Sequence, residues 1–230
     1  MTVFKELKKL NSFKSVRRKN PDPLCHRPLK DNRLISKFIG YWEDAPRFSW
    51  PDQNWYTGTG LHYSELCDVR PIEQQICGNP NGRPDYQETM LYDQEVVPGL
   101  LDGFGPFSTV RSKITQISNR SLDAAIAGQI GWHKDESPYE VLRVIVTLQS
   151  DLTYHFQIDN MSPVPLMPGH AYAFDQSKYH RVYSYEPSDL ARVHLVLSFV
   201  TWFDKTSEGW KPNAFFGQRH PLDLFDLIDL

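Results

Sequence analysis

A chain of 230 residues, 40% hydrophobic and 23% charged, holds enough apolar material for one sizeable core and is neither disordered nor fibrous in composition. No run reaches the roughly 18 apolar residues of a membrane helix, and the N-terminus lacks the apolar stretch of a secretory signal, so no membrane span and no export are expected. The net charge of -3 conceals an asymmetry: residues 1–37 hold 11 Lys/Arg against 3 Asp/Glu, while the remainder hold 14 against 25.

A basic arm of this kind reads first as a solvated helix and loop docked on an acidic body; nucleic acid is not the expected partner. Cys25, Cys67 and Cys77 form no C-x-x-C pair, which suggests a reducing, cytoplasmic setting. In that setting the sequons at Asn119 and Asn160 are chance matches.

Residues 1–20 read as a short amphipathic helix on Val3, Phe4, Leu7 and Leu10, followed by basic coil. Residues 20–100 are rich in Pro, Gly, Asn, Asp and aromatics. They predict short helices, long connections and a strand or two, with a turn at Asn79–Pro84. From 106 the pattern becomes strand-like. Strands are predicted over 110–118, 124–132, 141–148, 152–158, 170–174, 182–185 and 192–200, with turns at 149–151 and 168–169. Such spacing, with no helix-length pattern over 140–200, predicts a barrel or sandwich rather than a parallel βαβ sheet. The final segment, Pro221 to Leu230, sets Asp223, Asp226 and Asp229 among six large apolar residues. It predicts a short helix that docks on its own body, the alternative being a homodimer through this apolar segment.

The chemistry concentrates in Gly131-Trp132-His133-Lys134-Asp135-Glu136 and in His180, 45 residues beyond Asp135. Residues two apart on an extended strand point the same way, so His133 and Asp135 share a direction. Two imidazoles and a carboxylate are the ligand set of the facial triad of non-haem Fe(II) oxygenases, which keeps open positions on one side of the metal. His133, Asp135 and His180 are therefore the candidate metal-binding and catalytic residues. H-x-D alone occurs often by chance. Two strand arginines add to it. Arg192, within the apolar run 192–199, needs an anionic partner if buried, and its planar fork suits a carboxylate. His194 and Ser198 share its strand face, and His194 joins it as a candidate co-substrate contact. Arg143, alone in the apolar run 141–148, either helps bind the same anion or forms a structural salt bridge.

The ordered set His133-x-Asp135, His180 and Arg192 resembles the motif of Fe(II)- and 2-oxoglutarate-dependent oxygenases. The strand arginines after each His, and the run Pro168–Phe174, resemble the aspartyl/asparaginyl β-hydroxylase branch. Asp135 departs from that branch, whose founding members have no acidic ligand there. The resemblance covers roughly residues 105–200. It implies a mainly β, double-stranded β-helix (jelly-roll, cupin-like) core, with flanking helices from the N-terminal region and a short C-terminal helix. It also implies one oxygenase domain over 1–230, with a helical and loop extension over 1–104, the core over 105–200 and a C-terminal extension over 201–230. The implied cofactors are Fe(II), 2-oxoglutarate as co-substrate held by Arg192 and Arg143, and O2. The implied reaction couples decarboxylation of the keto acid to oxidation of a C–H bond in an amino acid, a peptidyl side chain or another small molecule.

Two competing readings stand beside it: a cupin-like metalloprotein of other chemistry, disfavoured by the lack of an H-x-H motif with a nearby Glu, and a non-catalytic jelly-roll binding module. Lesser candidates are His155, expected on a polar outer face, His170 in its turn, Trp132, and Glu136 and Tyr139 after the ligands. An aromatic–acidic region around Trp42, Trp50, Trp55 and Tyr56 reads first as core filling.

Overall fold

The computed structural model describes residues 3–11, 15–44, 48–49, 61–65, 101, 103–110, 112–119, 130–184, 186 and 188–230. The elements, in chain order, are α1 (Val3–Asn11), β1 (Leu24–Pro28), α2 (Arg33–Asp44), β2 (Phe48–Ser49), β3 (Leu61–Glu65), β4 (Ser108–Thr109), β5 (Lys113–Asn119), β6 (Ile130–His133) and β7 (Leu142–Gln149). They continue with β8 (Tyr154–Ile158), β9 (Val164–Pro165), β10 (His170–Phe174), β11 (His180–Ser184), β12 (Ser188–Val200), β13 (Phe203–Thr206), β14 (Gly209–Pro212) and a 3-10 helix (Pro221–Leu227).

From β5 to β12 the strands are shared between two antiparallel sheets. The major sheet runs β1-β10-β7-β12-β5-β3-β2, with β4 on β12; the minor sheet runs β6-β11-β8-β9. This is the double-stranded β-helix that the family resemblance implies. The N-terminal region contributes more than helix and loop, because β1 pairs with β10 and β3 with β5 at the edges of the major sheet.

Side-chain alternation assigns the two faces of the major sheet. Leu142, Val144, Val146 and Leu148 of β7 and Val193, Leu195, Leu197 and Phe199 of β12 bury one face in the main core. The apolar stripe Leu34, Ile35, Phe38 and Ile39 of α2 covers that face, together with Leu7 of α1 and the C-terminal segment. The other face carries Arg143, Ile145 and Thr147, directly opposite Ser198, Val196 and His194 on β12. It looks onto the minor sheet across a second core of Ile145, Tyr172, Phe174, Phe156, Ile158 and Val182. This face alone mixes charge with apolar surface, and the candidate site lies in the space it encloses.

The C-terminal segment docks on its own body, as predicted, with Leu222, Leu224, Phe225, Ile228 and Leu230 all buried. It is a 3-10 helix, and the three-residue recurrence of its aspartates matches the three residues per turn of that helix. His220 caps it, its Nδ1 accepting the Leu222 N–H at 3.1 Å. A side chain at Gly105, where φ is +97°, would sit 2.7 Å from the Leu227 carbonyl, so only glycine admits the segment this closely.

The basic arm is zipped to this acidic tail. Arg18 lies 3.7 Å from Asp223, whose carboxylate also accepts the Lys19 N–H at 3.0 Å. Arg27 donates to the Ile228 carbonyl, and Lys30 pairs with Asp229 at 2.6 Å. The charge asymmetry is met within the chain. No helix among the described residues is long and apolar enough to cross a membrane. The turn at Asn79–Pro84, the cysteines at 67 and 77, and Trp50, Trp55 and Tyr56 lie outside the described residues.

Candidate metal centre

His133 ends β6 and His180 begins β11, and the two stand directly opposite each other in the antiparallel pairing. Their rings are 4.2 Å apart, centroid to centroid. Asp135, two residues past β6, brings its carboxylate 3.8 Å from His133 Nε2 and 3.6 Å from His180 Nε2. The three potential ligand atoms lie within 4.8 Å of one another, the one cluster of this kind among the described residues.

Each imidazole is oriented from behind. His133 Nδ1 donates to the Gly131 carbonyl at 2.7 Å, and His180 Nδ1 to the Lys178 carbonyl at 2.9 Å. A carbonyl can only accept, so each Nδ1 carries a proton and the Nε2 atoms are the ones that face Asp135; in the neutral ring that a metal binds, Nε2 holds the lone pair. Burial and the neighbouring His180 push the His133 pKa down, against the pull of Asp135, which favours the neutral form a metal requires. Burial alone would raise the Asp135 pKa. The Arg143 charge and the two imidazoles outweigh it and hold the carboxyl well below the usual carboxylate range. Phe174 stands edge-on to His180 at 4.8 Å and Phe156 lies at 5.9 Å, so the second imidazole has apolar walls.

Of the two roles open to Arg143 in the sequence, the structure shows a salt bridge. Its guanidinium donates to Asp135, and to Glu136 at 2.8 Å.

Arg192 is different. It is 2% exposed, its guanidinium lies 5.6 Å from the centre of the Tyr154 ring, and no acidic side chain among the described residues pairs with it. Burial pushes its pKa down to about 9. Its Nη1, the Nε2 of buried His194 and the Oγ1 of buried Thr147 have no hydrogen-bond partner among the described residues. Burial and the Arg192 charge keep His194 neutral, well below the ordinary imidazole range. Polar atoms are seldom buried without partners, and here three donors or potential donors share one inner face.

Between this cluster and the triad lie Ile145 and Val196, opposite each other and each 9% exposed. Arg143 to Thr147 is four residues along β7, about 13 Å of strand.

The lesser candidates fall elsewhere. Trp132, 42% exposed, alternates away from the triad and packs under Arg181 at 4.7 Å. Tyr139 donates to the Val16 carbonyl at 2.8 Å and packs at a tilt on Trp202, ring centroids 5.1 Å apart, so it anchors the N-terminal arm. His155 lies on the outer face of β8 against Tyr183, as its alternation predicts, and His170 opens β10. Sequence reading missed Thr147, Tyr154 and Gln176. The first two were legible as inner-face positions of β7 and β8, whereas nothing in the sequence marks Gln176.

No protein-family model matches the sequence, and neither does any curated protein. The fold does have solved relatives. A non-haem alpha-ketoglutarate-dependent epimerase, SnoN of nogalamycin biosynthesis, is similar at TM-score 0.50 and 12% identity, covering 86% of this chain and 84% of its own. An oxidoreductase of the 2OG-Fe(II) oxygenase family from Burkholderia pseudomallei is similar at TM-score 0.49 and 12% identity, over 85% and 89%. A Pseudomonas putida prolyl-4-hydroxylase is similar at TM-score 0.45 and 10% identity, over 86% and 98%. At such identities the likeness to the epimerase is one of fold.

Proposed function

We propose that this protein is an Fe(II)- and 2-oxoglutarate-dependent oxygenase, a hydroxylase of an amino acid, a peptidyl side chain or another small molecule. The carrying observation is the convergence of His133, Asp135 and His180, with both imidazole Nε2 atoms turned toward the one carboxylate.

The residues present fit the implied groups. His133 and His180 Nε2 and the Asp135 carboxylate would hold the iron, a donor set that suits Fe(II). Arg192 would hold the distal carboxylate of the keto acid, with Thr147 and His194 completing its hydrogen bonds. That reading supplies the anion that a buried guanidinium lacks. Bound iron, with keto acid and O2, would supply the oxidising power to break a substrate C–H bond. The protein's own part is positional. The Gly131 and Lys178 carbonyls fix the imidazole tautomers, Arg143 fixes the Asp135 carboxylate, and Phe156, Phe174, Ile145 and Val196 exclude water along the inner face.

The narrower likeness to the aspartyl/asparaginyl β-hydroxylase branch rests on the strand arginines. With Arg143 engaged by Asp135 and Glu136, Arg192 carries that likeness. The names of the structural neighbours, an epimerase and a prolyl hydroxylase, favour a small-molecule or peptidyl substrate without choosing between them. We read the chain as one oxygenase domain, and the cytoplasm as its setting from its unpatterned cysteines.

The test is anaerobic addition of Fe(II) and 2-oxoglutarate, read as a visible charge-transfer band, followed by a substrate screen for succinate release. The band should vanish in Asp135→Ala and weaken in Arg192→Ala. If wild-type protein forms no band and neither ligand raises its melting temperature, the non-catalytic reading takes over.

A further inference from the structure

Resting on the metal reading above, we propose that Gln176, in the turn between β10 and β11, is a positioning residue for the metal ligand Asp135. Asp135 follows a strand and belongs to none, so something outside β6 must hold its backbone.

Two bonds do this, and both come from Gln176. Its carbonyl accepts the Asp135 N–H at 2.8 Å. Its side-chain amide donates to the Val141 carbonyl, where the chain leaves the ligand loop and enters β7. One residue thus ties together both ends of the loop 135–141. The loop is tightened internally by a turn in which Glu140 and Val141 donate to the Ser137 carbonyl at 2.9 and 3.1 Å. Gln176 is completely buried, so no water competes for either bond.

The turn that carries Gln176 is itself rigid. Asp175 Oδ1 accepts both the N–H and the hydroxyl of Ser177, at 3.2 and 2.5 Å, and the Lys178 N–H donates to the Asp175 carbonyl at 3.0 Å. The same turn supplies the Lys178 carbonyl that orients His180. Two of the three ligands are therefore referenced to a single four-residue frame. The third, His133, is placed by its pairing with His180. These bonds tie Asp135 to the turn that precedes His180 through Gln176, in addition to the link through β6.

The test uses the full-length metal-free protein and Co(II) as the probe, with affinity measured by calorimetry and geometry by the cobalt absorption spectrum. Gln176→Met keeps the volume and loses the amide. Gln176→Asn keeps the amide and shortens its reach. Both should melt cooperatively while binding Co(II) about ten- to hundredfold more weakly, the usual loss when an outer partner of a ligand is removed. Hydrogen exchange at the Asp135 amide, slow in the wild-type protein, should quicken in both. Val193→Ala, a core change on the far face of the major sheet, controls for stability loss and should leave Co(II) affinity unchanged.

Wild-type Co(II) affinity in both Gln176 variants overturns the proposal, as does an equal loss in Val193→Ala. Fast exchange of the Asp135 amide in the wild-type protein overturns it even where a variant does not fold. If Asp135→Ala binds Co(II) as well as wild type, the metal reading itself fails and this proposal falls with it.

Discussion

Replacing Arg192 with methionine should stabilise the metal-free protein while abolishing its response to 2-oxoglutarate. The guanidinium is 2% exposed, and burial brings its pKa from an ordinary 12.5 to about 9. At about 1.4 kcal/mol per tenfold change in proton affinity, holding that charge inside the fold costs about 5 kcal/mol. The group is protonated in both folded and unfolded chains at pH 7, so the full cost is present there and is relieved only as pH rises through about 9. Methionine removes the cost but forfeits the contact with Tyr154, about 1 kcal/mol, and packs imperfectly. The expected net gain is about 1–3 kcal/mol, or a rise in melting temperature of about 2–4 °C per kcal/mol for a chain of this size. In the wild-type protein 2-oxoglutarate at a hundred times its Kd should add about 2.7 kcal/mol, and in Arg192→Met it should add nothing. Thermal and urea unfolding, each with and without the keto acid, measure both effects. A variant that is less stable than wild type and still stabilised by 2-oxoglutarate would refute the view that Arg192 is a buried cation awaiting an anion.

Thr147→Val, which deletes a buried hydroxyl with no partner among the described residues, should raise apoprotein stability by about 1 kcal/mol and weaken the keto-acid thermal shift; both appear in the same melts. Asp223→Ala should loosen the N-terminal arm, costing about 1–3 kcal/mol because Arg18 and the Lys19 N–H lose their common acceptor. Hydrogen exchange should then quicken over residues 15–30 but not at the triad. Stability should fall as pH drops from 7 toward 5. Burial lowers the pKa of His220, so the unfolded chain binds more protons below its ordinary value of 6.5. His220→Asn, which can still cap the 3-10 helix, should flatten that slope in urea titrations at several pH values, leaving the share from His133 and His194.

The parts legible in the sequence are those governed by local pattern. Residues 141–148 and 170–174 are β-branched or alternating runs bounded by turn residues, and they fold as β7 and β10 nearly where the pattern puts them. The triad was legible because H-x-D on an extended end and a distant His carry their own chemistry. Arg192 was legible because charge in an apolar strand demands a reason. The chain did not reveal β1, whose residues Leu24-Cys25-His26-Arg27-Pro28 alternate weakly and become a strand by pairing along β10. The partners of Arg143 were also hidden. Arg143 reaches Asp135 and Glu136, which lie in the loop after β6 and come to it only once the sheets are assembled. Gln176 is the extreme case, since its role consists of two bonds to residues 35 and 41 positions away.

The two sides of the major sheet differ in whether a buried cation has an acceptor close by. On the outer side three cations of the N-terminal arm find partners in the C-terminal tail: Arg18 with Asp223, Arg27 with the Ile228 carbonyl, Lys30 with Asp229. On the inner side Arg192, His194 and Thr147 are buried with polar atoms that lack partners among the described residues. A folded chain tolerates a few such groups only where their cost is offset, and each costs about 1–3 kcal/mol or more. Stability alone would favour replacing them with apolar residues. Under the proposed function, their clustering on one face, in line with two imidazoles and a carboxylate, assigns them an external anionic partner. The same cost makes the site selective, because a keto acid lacking the distal carboxylate would leave Arg192 as it stands in the apoprotein and gain nothing from entering.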